Sequence, residues 1–259
     1  NTLILIWFTK YIEKCVVWII KAPKNQENDS FRLKYISAGP LATRELATEQ
    51  AFDEIIHFAE ISRNGLLYAR QAILETDKDR FEELRSKLVK YEEISDRIEY
   101  EIASFLNAVS AGDISAETSA RIKAMYRIIG ELESLGDSGE SISRILSRKN
   151  IHNKAFGPET VRKLEDMTEA VDGAYKAMIT NLRAAHKGDL AEISNACNAE
   201  DRINNLRNYL RESEIEEIES GRKSYEASVY FMDIVSELEK MGDFMINISQ
   251  TLERTFIRR

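Results

Sequence analysis

Glu131-Leu132-Glu133-Ser134-Leu135-Gly136-Asp137 returns 106 positions later as Glu237-Leu238-Glu239-Lys240-Met241-Gly242-Asp243. Five residues on, Ile142-Ser143 returns as Ile248-Ser249 at the same offset. The middle of each half also answers, with Asp96-Arg97-Ile98 matched by Asp201-Arg202-Ile203. Agreement in letters and order marks a duplication rather than shared composition. Two copies of about a hundred residues are too long and too few for a solenoid, so they imply two packed units related by a pseudo-twofold axis.

Outward from that heptapeptide, apolar residues recur at steps of three and four, the period of amphipathic helices in a bundle. Phe52, Ile55, Ala59, Leu66, Ala69 and Ile73 form one stripe, and Phe81, Leu84, Leu88, Tyr91, Ile98, Ile102, Phe105 and Val109 a second. A third helix starts near Ala116, after the turn Ser110 to Asp113. Lys149 to Gly157 breaks the pattern, and Pro158 stands where the first turn of a new helix tolerates proline. A fourth stripe runs from Leu164 to Leu182, a fifth holds Leu190, Ile193, Cys197, Ile203, Leu206 and Leu210, and a last helix reaches about Phe256. The expected fold is all-α: six helices in two three-helix repeats, residues 46–150 and 151–259.

Before the bundle, Leu3-Ile4-Leu5-Ile6-Trp7-Phe8 is too short to span a bilayer alone, and Lys10, Lys14, Lys21 and Lys24 follow it. Apolar residues ahead of basic ones, with Trp7, Tyr11 and Trp18 among them, are the pattern of a membrane helix leaving on the cytoplasmic side. A signal peptide has the opposite order. Residues 1–21 therefore read as the end of a membrane or interfacial helix and 22–45 as a linker broken at Pro23 and Gly39-Pro40. An amphipathic helix packed on the domain accounts for residues 1–21 equally well.

In 259 residues, 43% hydrophobic with three prolines and eleven glycines, a helical core stands without metal or disulfide support. Net charge is −8 with acids and bases mixed, which argues against nucleic acid as a partner. Cys15 and Cys197 are too far apart in sequence to form a ligand pair. Cys197 lies on an apolar stripe and is expected as a packed thiol. Phosphate loop, dinucleotide fingerprint and nucleophile elbow are all missing from the sequence, so no enzymatic machinery is visible.

Glu133 and Asp137, four apart, share a helix face, as do Glu239 and Asp243 and, one helix earlier, Glu92 and Asp96. Two facing helices with such pairs offer four hard oxygen donors, suited to iron, manganese or magnesium. In the second copy Asp201 joins Glu239 and Asp243, while Cys197 stands where Glu92 stood. A solvated acidic face explains the same pairs. Gly136 and Gly242 sit mid-helix, where glycine costs about 1 kcal/mol relative to alanine, so each needs a packing or functional reason. Glu54-Ile55-Ile56-His57 fits the Glu-x-x-His ligand pattern of di-iron bundles. That architecture needs two copies, and neither His152 nor His186 supplies the second.

The duplicated unit, each copy closing in Glu-Leu-Glu-x-x-Gly-Asp-x-x-x-x-Ile-Ser, resembles the PhoU family over roughly residues 46–256. That resemblance implies a six-helix bundle that modulates phosphate uptake and phosphate signalling, with divalent or iron ions held at acidic surface motifs. Transferred onto matching positions, the ligands are Glu92, Asp96, Glu133 and Asp137 in the first copy and Asp201, Glu239 and Asp243 in the second. Cys197 departs from the acidic pattern and weakens the second set. The approach to the bundle, Leu33-Lys34-Tyr35-Ile36, Pro40-Leu41-Ala42-Thr43 and Leu46 to Ala51, resembles the junction after the membrane part of bacterial sodium/phosphate cotransporters. The resemblance thus implies a cytoplasmic regulatory domain at the bacterial inner membrane. Its partner is the transmembrane part of the same transporter, which handles sodium and inorganic phosphate. A homodimer stays open, as do a free-standing signalling adaptor and a metal-binding bundle.

Overall fold

The computed structural model describes residues 33–36 and 43–257; the membrane-proximal helix expected over residues 1–21 lies outside them. Six helices follow in order: α1 Arg44–Leu74, α2 Lys78–Ser110, α3 Ala116–Ile151, α4 Pro158–Lys187, α5 Ser194–Glu219 and α6 Tyr225–Phe256. Among the described residues there is no strand, and no helix is long and apolar enough to cross a membrane.

Helix starts are set by local chemistry. The side chains of Thr43, Asp77, Ser115 and Ser224 accept the backbone N–H three residues on, satisfying donors that a first turn leaves unpaired. At α4 the same end is made by Gly157 followed by Pro158, whose missing N–H costs nothing at that position. Gly188 ends α4 at φ 73°, a left-handed value open to glycine without a Cβ penalty.

Helices α1, α2 and α3 pack mutually, as do α4, α5 and α6; the two triplets meet through α3 against α6 and α1 against α4. Each cross-contact joins a helix to its own counterpart, the arrangement a twofold relation requires. Every residue of the expected α1 and α4 stripes is buried. Cys197 is a correction: it is exposed, and the neighbouring Ala196 takes the interior position. The shift has a packing cause, visible at the two mid-helix glycines.

A Cβ on Gly136 would meet Ser95 Oγ at 2.6 Å, and one on Gly242 would meet Ile203 Cδ1 at 3.0 Å. Both glycines exist because a neighbouring helix passes at contact distance. The same two contacts fix the true register: Ile203 of α5 occupies the place of Ser95 in α2. Burial agrees, since Leu88, Ser95, Ile102 and Leu106 answer to Ala196, Ile203, Leu210 and Glu214, all buried. In this register Asp96 is answered by Asn204 and Glu92 by Glu200, three residues beyond the match in letters at Asp201.

Candidate functional site

Helices α2 and α3 bring Glu92, Asp96 and Asp137 together, with one carboxylate oxygen of each within 4.8 Å of the others. Glu92 is half-buried, and the two aspartates are exposed. Ser95 and Gly136 produce this closeness, because small residues at the crossing let the backbones approach until carboxylates one turn away converge. Among the described residues this is the one group of three or more candidate metal ligands.

Burial, then the neighbouring charges of Asp96 and Asp137, pushes the Glu92 carboxyl above its ordinary value. Burial also raises Glu133, with Asp137 and Glu99 adding to it. Asp137 rises for the same two reasons, burial and then Asp96, against a partial counter-effect from Arg144. Like charges this close without a resident cation favour the protonated form. A hard multivalent cation would reverse the sign of the interaction, and an all-carboxylate donor set is the chemistry such ions take. Glu92, Asp96 and Asp137 fit that role, and Glu133 stands one turn from Asp137 on the same face.

The second repeat is compensated internally. Glu239, the counterpart of Glu133, meets Arg207 Nη2 at 3.2 Å. Arg207 occupies the position of Glu99 in the packing register, so a repulsive neighbour has become an attractive one. Asn204 donates from Nδ2 to Glu200, replacing the Asp96–Glu92 repulsion with a hydrogen bond. Asp201 is exposed, and Glu239, Asp243 and Asp201 do not form a three-ligand group.

The sequence reading weighed Glu54 only as a metal ligand beside His57, and its packing role escaped it. Glu54 is completely buried in α1, and its Oε2 accepts the backbone N–H of Lys34 and of Tyr35, each at 2.7 Å. The segment Leu33–Ile36 is thereby held against α1, with the Tyr35 ring edge-on to His57 at 6.1 Å. The other oxygen of Glu54 is buried without a hydrogen-bond partner among the described residues. The available signal was an acid set directly between Phe52, Ile55 and Phe58, where a surface residue does not belong.

A duplicated three-helix unit, with carboxylates gathered where its second and third helices cross in the first copy, defines the class as an all-helical two-repeat bundle. More particularly, residues 164–252 match the PhoU domain family, and the chain carries a PhoU domain there. The fold is similar to crystal structures of PhoU from Pseudomonas aeruginosa and from Streptococcus pneumoniae, the latter described as a phosphate transport system regulatory protein. The first has a TM-score of 0.70 at 14% identity, covering 82% of this chain and 97% of that one. The second has a TM-score of 0.68 at 13% identity, covering 84% of this chain and 100% of that one. No curated protein matches the sequence.

Proposed function

We propose that this chain is the cytoplasmic PhoU-like regulatory domain of a sodium-dependent inorganic phosphate cotransporter of the bacterial inner membrane, and that it restrains phosphate movement through the attached pore. The observation that carries the reading is the PhoU domain at residues 164–252, set in a bundle shaped like a phosphate transport system regulatory protein. Support for attachment comes from the apolar-then-basic order of residues 3–24 and from Glu54. By gripping the backbone of Lys34 and Tyr35, Glu54 makes the chain that enters the bundle part of its packing. A pull on that segment would act on α1.

Glu92, Asp96 and Asp137, with Glu133 beside them, would hold an iron, manganese or magnesium ion. Such an ion neutralises the cluster and ties α2 to α3. Glu239 and Asp243 lie in a set already balanced by Arg207 and Asn204, so the first repeat is the one that calls for a cation.

Sodium-driven phosphate uptake into vesicles tests the proposal, comparing the full-length transporter with a version lacking the chain from Leu33 onward. Removal of a coupled regulatory domain shifts the phosphate dependence of uptake by about fivefold or more. Unchanged uptake, or an upstream reading frame without membrane helices, overturns it. The near-complete coverage of the two solved PhoU chains favours one alternative, a free-standing adaptor, and that same reading frame separates the two.

A further inference from the structure

On the same helix pair, toward the C-terminal end of α3, the charge reverses. A cleft of about 460 Å³ is lined by Arg85 of α2, by Ser141, Arg144, Ser147 and Arg148 of α3, and by Glu237 of α6. Its size falls in the range of small-molecule sites, ~300–1,000 Å³. Ser141, Arg144 and Arg148 sit at i, i+3 and i+7, which places them on one face of α3. A cation in the last turns of a helix complements the macrodipole, which accounts for one arginine there. It does not account for three guanidiniums from two helices around one cavity in a chain of net charge −8.

The acids nearby leave donor capacity unspent. Glu82 takes Arg85 Nη1 at 3.0 Å, but Arg85 Nε is buried with no acceptor among the described residues. Glu140 takes Arg144 Nε at 2.8 Å, and Arg144 Nη2 donates to Ser141 Oγ at 2.9 Å, which leaves the serine hydroxyl proton free to donate onward. Glu237 is held by Lys240 at 2.8 Å. Arg148 is exposed, and its side chain has no partner among the described residues. Arg85 Nε is thus a buried donor without an acceptor, and the remaining donors of Arg144, Arg148 and Ser141 beside it are open to solvent, a set that suits one acceptor with several oxygens.

We propose that this cleft binds a phosphate-class oxyanion, with Arg148 and Arg144 as the forked donors and Arg85 and Ser141 completing the grip. Planar guanidinium forks match phosphoryl oxygens in pairs, which a lysine cluster would not do. The site is separate from the carboxylates yet adjoins them, because Arg144 is also the cation nearest Asp137 in effect. An anion on Arg144 and a cation at Asp137 would therefore influence each other along α3.

The test is calorimetric titration of pyrophosphate into the 259-residue chain, first freed of divalent ions with a chelator, at constant ionic strength in sodium chloride. The expected result is saturable binding that Arg148→Ala and Arg144→Ala each weaken about tenfold or more, as befits a lost charge-assisted hydrogen bond. Both side chains are exposed, so circular dichroism should show both variants fully helical. Arg162→Ala, an exposed arginine on α4, leaves binding unchanged. Absence of saturation in the parent chain, indifference to Arg148→Ala, or equal weakening by Arg162→Ala overturns the proposal.

Discussion

The two repeats share a helix plan and use charge in opposite ways. In the first, Glu92, Asp96 and Asp137 crowd at the surface with their repulsion only partly offset by Arg144, while the corresponding interior of α2 carries no charged residue. In the second, the surface set is neutralised by Arg207 and Asn204, and the charge has moved inside. Lys163, 6% exposed, donates to Ser213 and Glu217; Lys223 meets Glu214 at 2.8 Å and Glu217 at 2.6 Å. Glu214 stands where the first repeat has Leu106. Duplication thus preserved the crossing geometry, fixed by the glycines, and left the electrostatics free to diverge into an exposed site in one copy and a buried clamp in the other.

The largest effect that can break this comparison lies in the clamp. Lys223→Ala leaves Glu214, 1% exposed, as an uncompensated buried acid and should cost about 3–5 kcal/mol of stability in urea unfolding. Changing both partners, Glu214→Leu with Lys223→Met, installs the solution of the first repeat and should restore most of that loss. If the single variant costs less than about 1 kcal/mol, the pair is solvated and the two repeats are not energetically distinct.

Next in size is the response to a cation. With manganese at about a hundred times its dissociation constant, the parent chain should gain roughly 2.7 kcal/mol, read as a rise in melting temperature. Asp96→Asn with Asp137→Asn should abolish the gain, whereas Glu239→Gln with Asp243→Asn should leave it intact. An equal loss from both pairs would mean that the second set also binds, despite Arg207.

The crossings offer a sharper, smaller contrast. An alanine at Gly136 puts its Cβ into Ser95 at Oγ and at Cβ, and the Cβ cannot swing away, so overpacking of about 1–3 kcal/mol outweighs the helix-propensity gain of about 1 kcal/mol. At Gly242 the nearest atom is the movable end of Ile203, and the same substitution should come out within about 1 kcal/mol of neutral. Adding Ser95→Gly should rescue the first variant. Thermal melts of the four proteins decide it.

Much of this was legible beforehand. The helix stripes, proline opening α4 and the close approach at both glycines follow from periodicity, from the place of proline in a first turn and from the cost of glycine in a helix. What was not legible has a common physical origin. Matching letters placed Asp201 opposite Asp96, but a helix is positioned by what its neighbours can accommodate, and Ile203 against Gly242 moved α5 by most of a turn. Cys197 fell out of its largely buried stripe for the same reason. The burial of Glu54 and of the clamp acids was invisible because polarity predicts the surface, and only the partner, a backbone N–H pair or a lysine in the turn after α5, makes it tolerable.

The smallest effect is the most discriminating, because the two repeats should answer acid with opposite signs. Glu92, Glu133 and Asp137 have folded-state values above the ordinary ones, chiefly through burial and then through neighbouring carboxylates. A raised value means that the folded state holds its protons more tightly than the unfolded chain. Acidification into the window between the ordinary and raised values therefore stabilises the first repeat. Glu217 lies below its ordinary value because Lys223, then Lys163, hydrogen-bonds the carboxylate against the cost of burial. Its contribution is present above the ordinary value and is lost as pH falls through the depressed one. In a metal-free sample taken from about pH 6 to about pH 4, amide exchange corrected for its intrinsic rate should slow in α2 and α3 and quicken in α4 and α5. Solvent screening of the exposed cluster keeps the change below about 1 kcal/mol, and Asp137→Asn should flatten the response of the first repeat alone. If the amides of all six helices shift together, exchange is passing through global unfolding. The local opposition between the repeats is then absent.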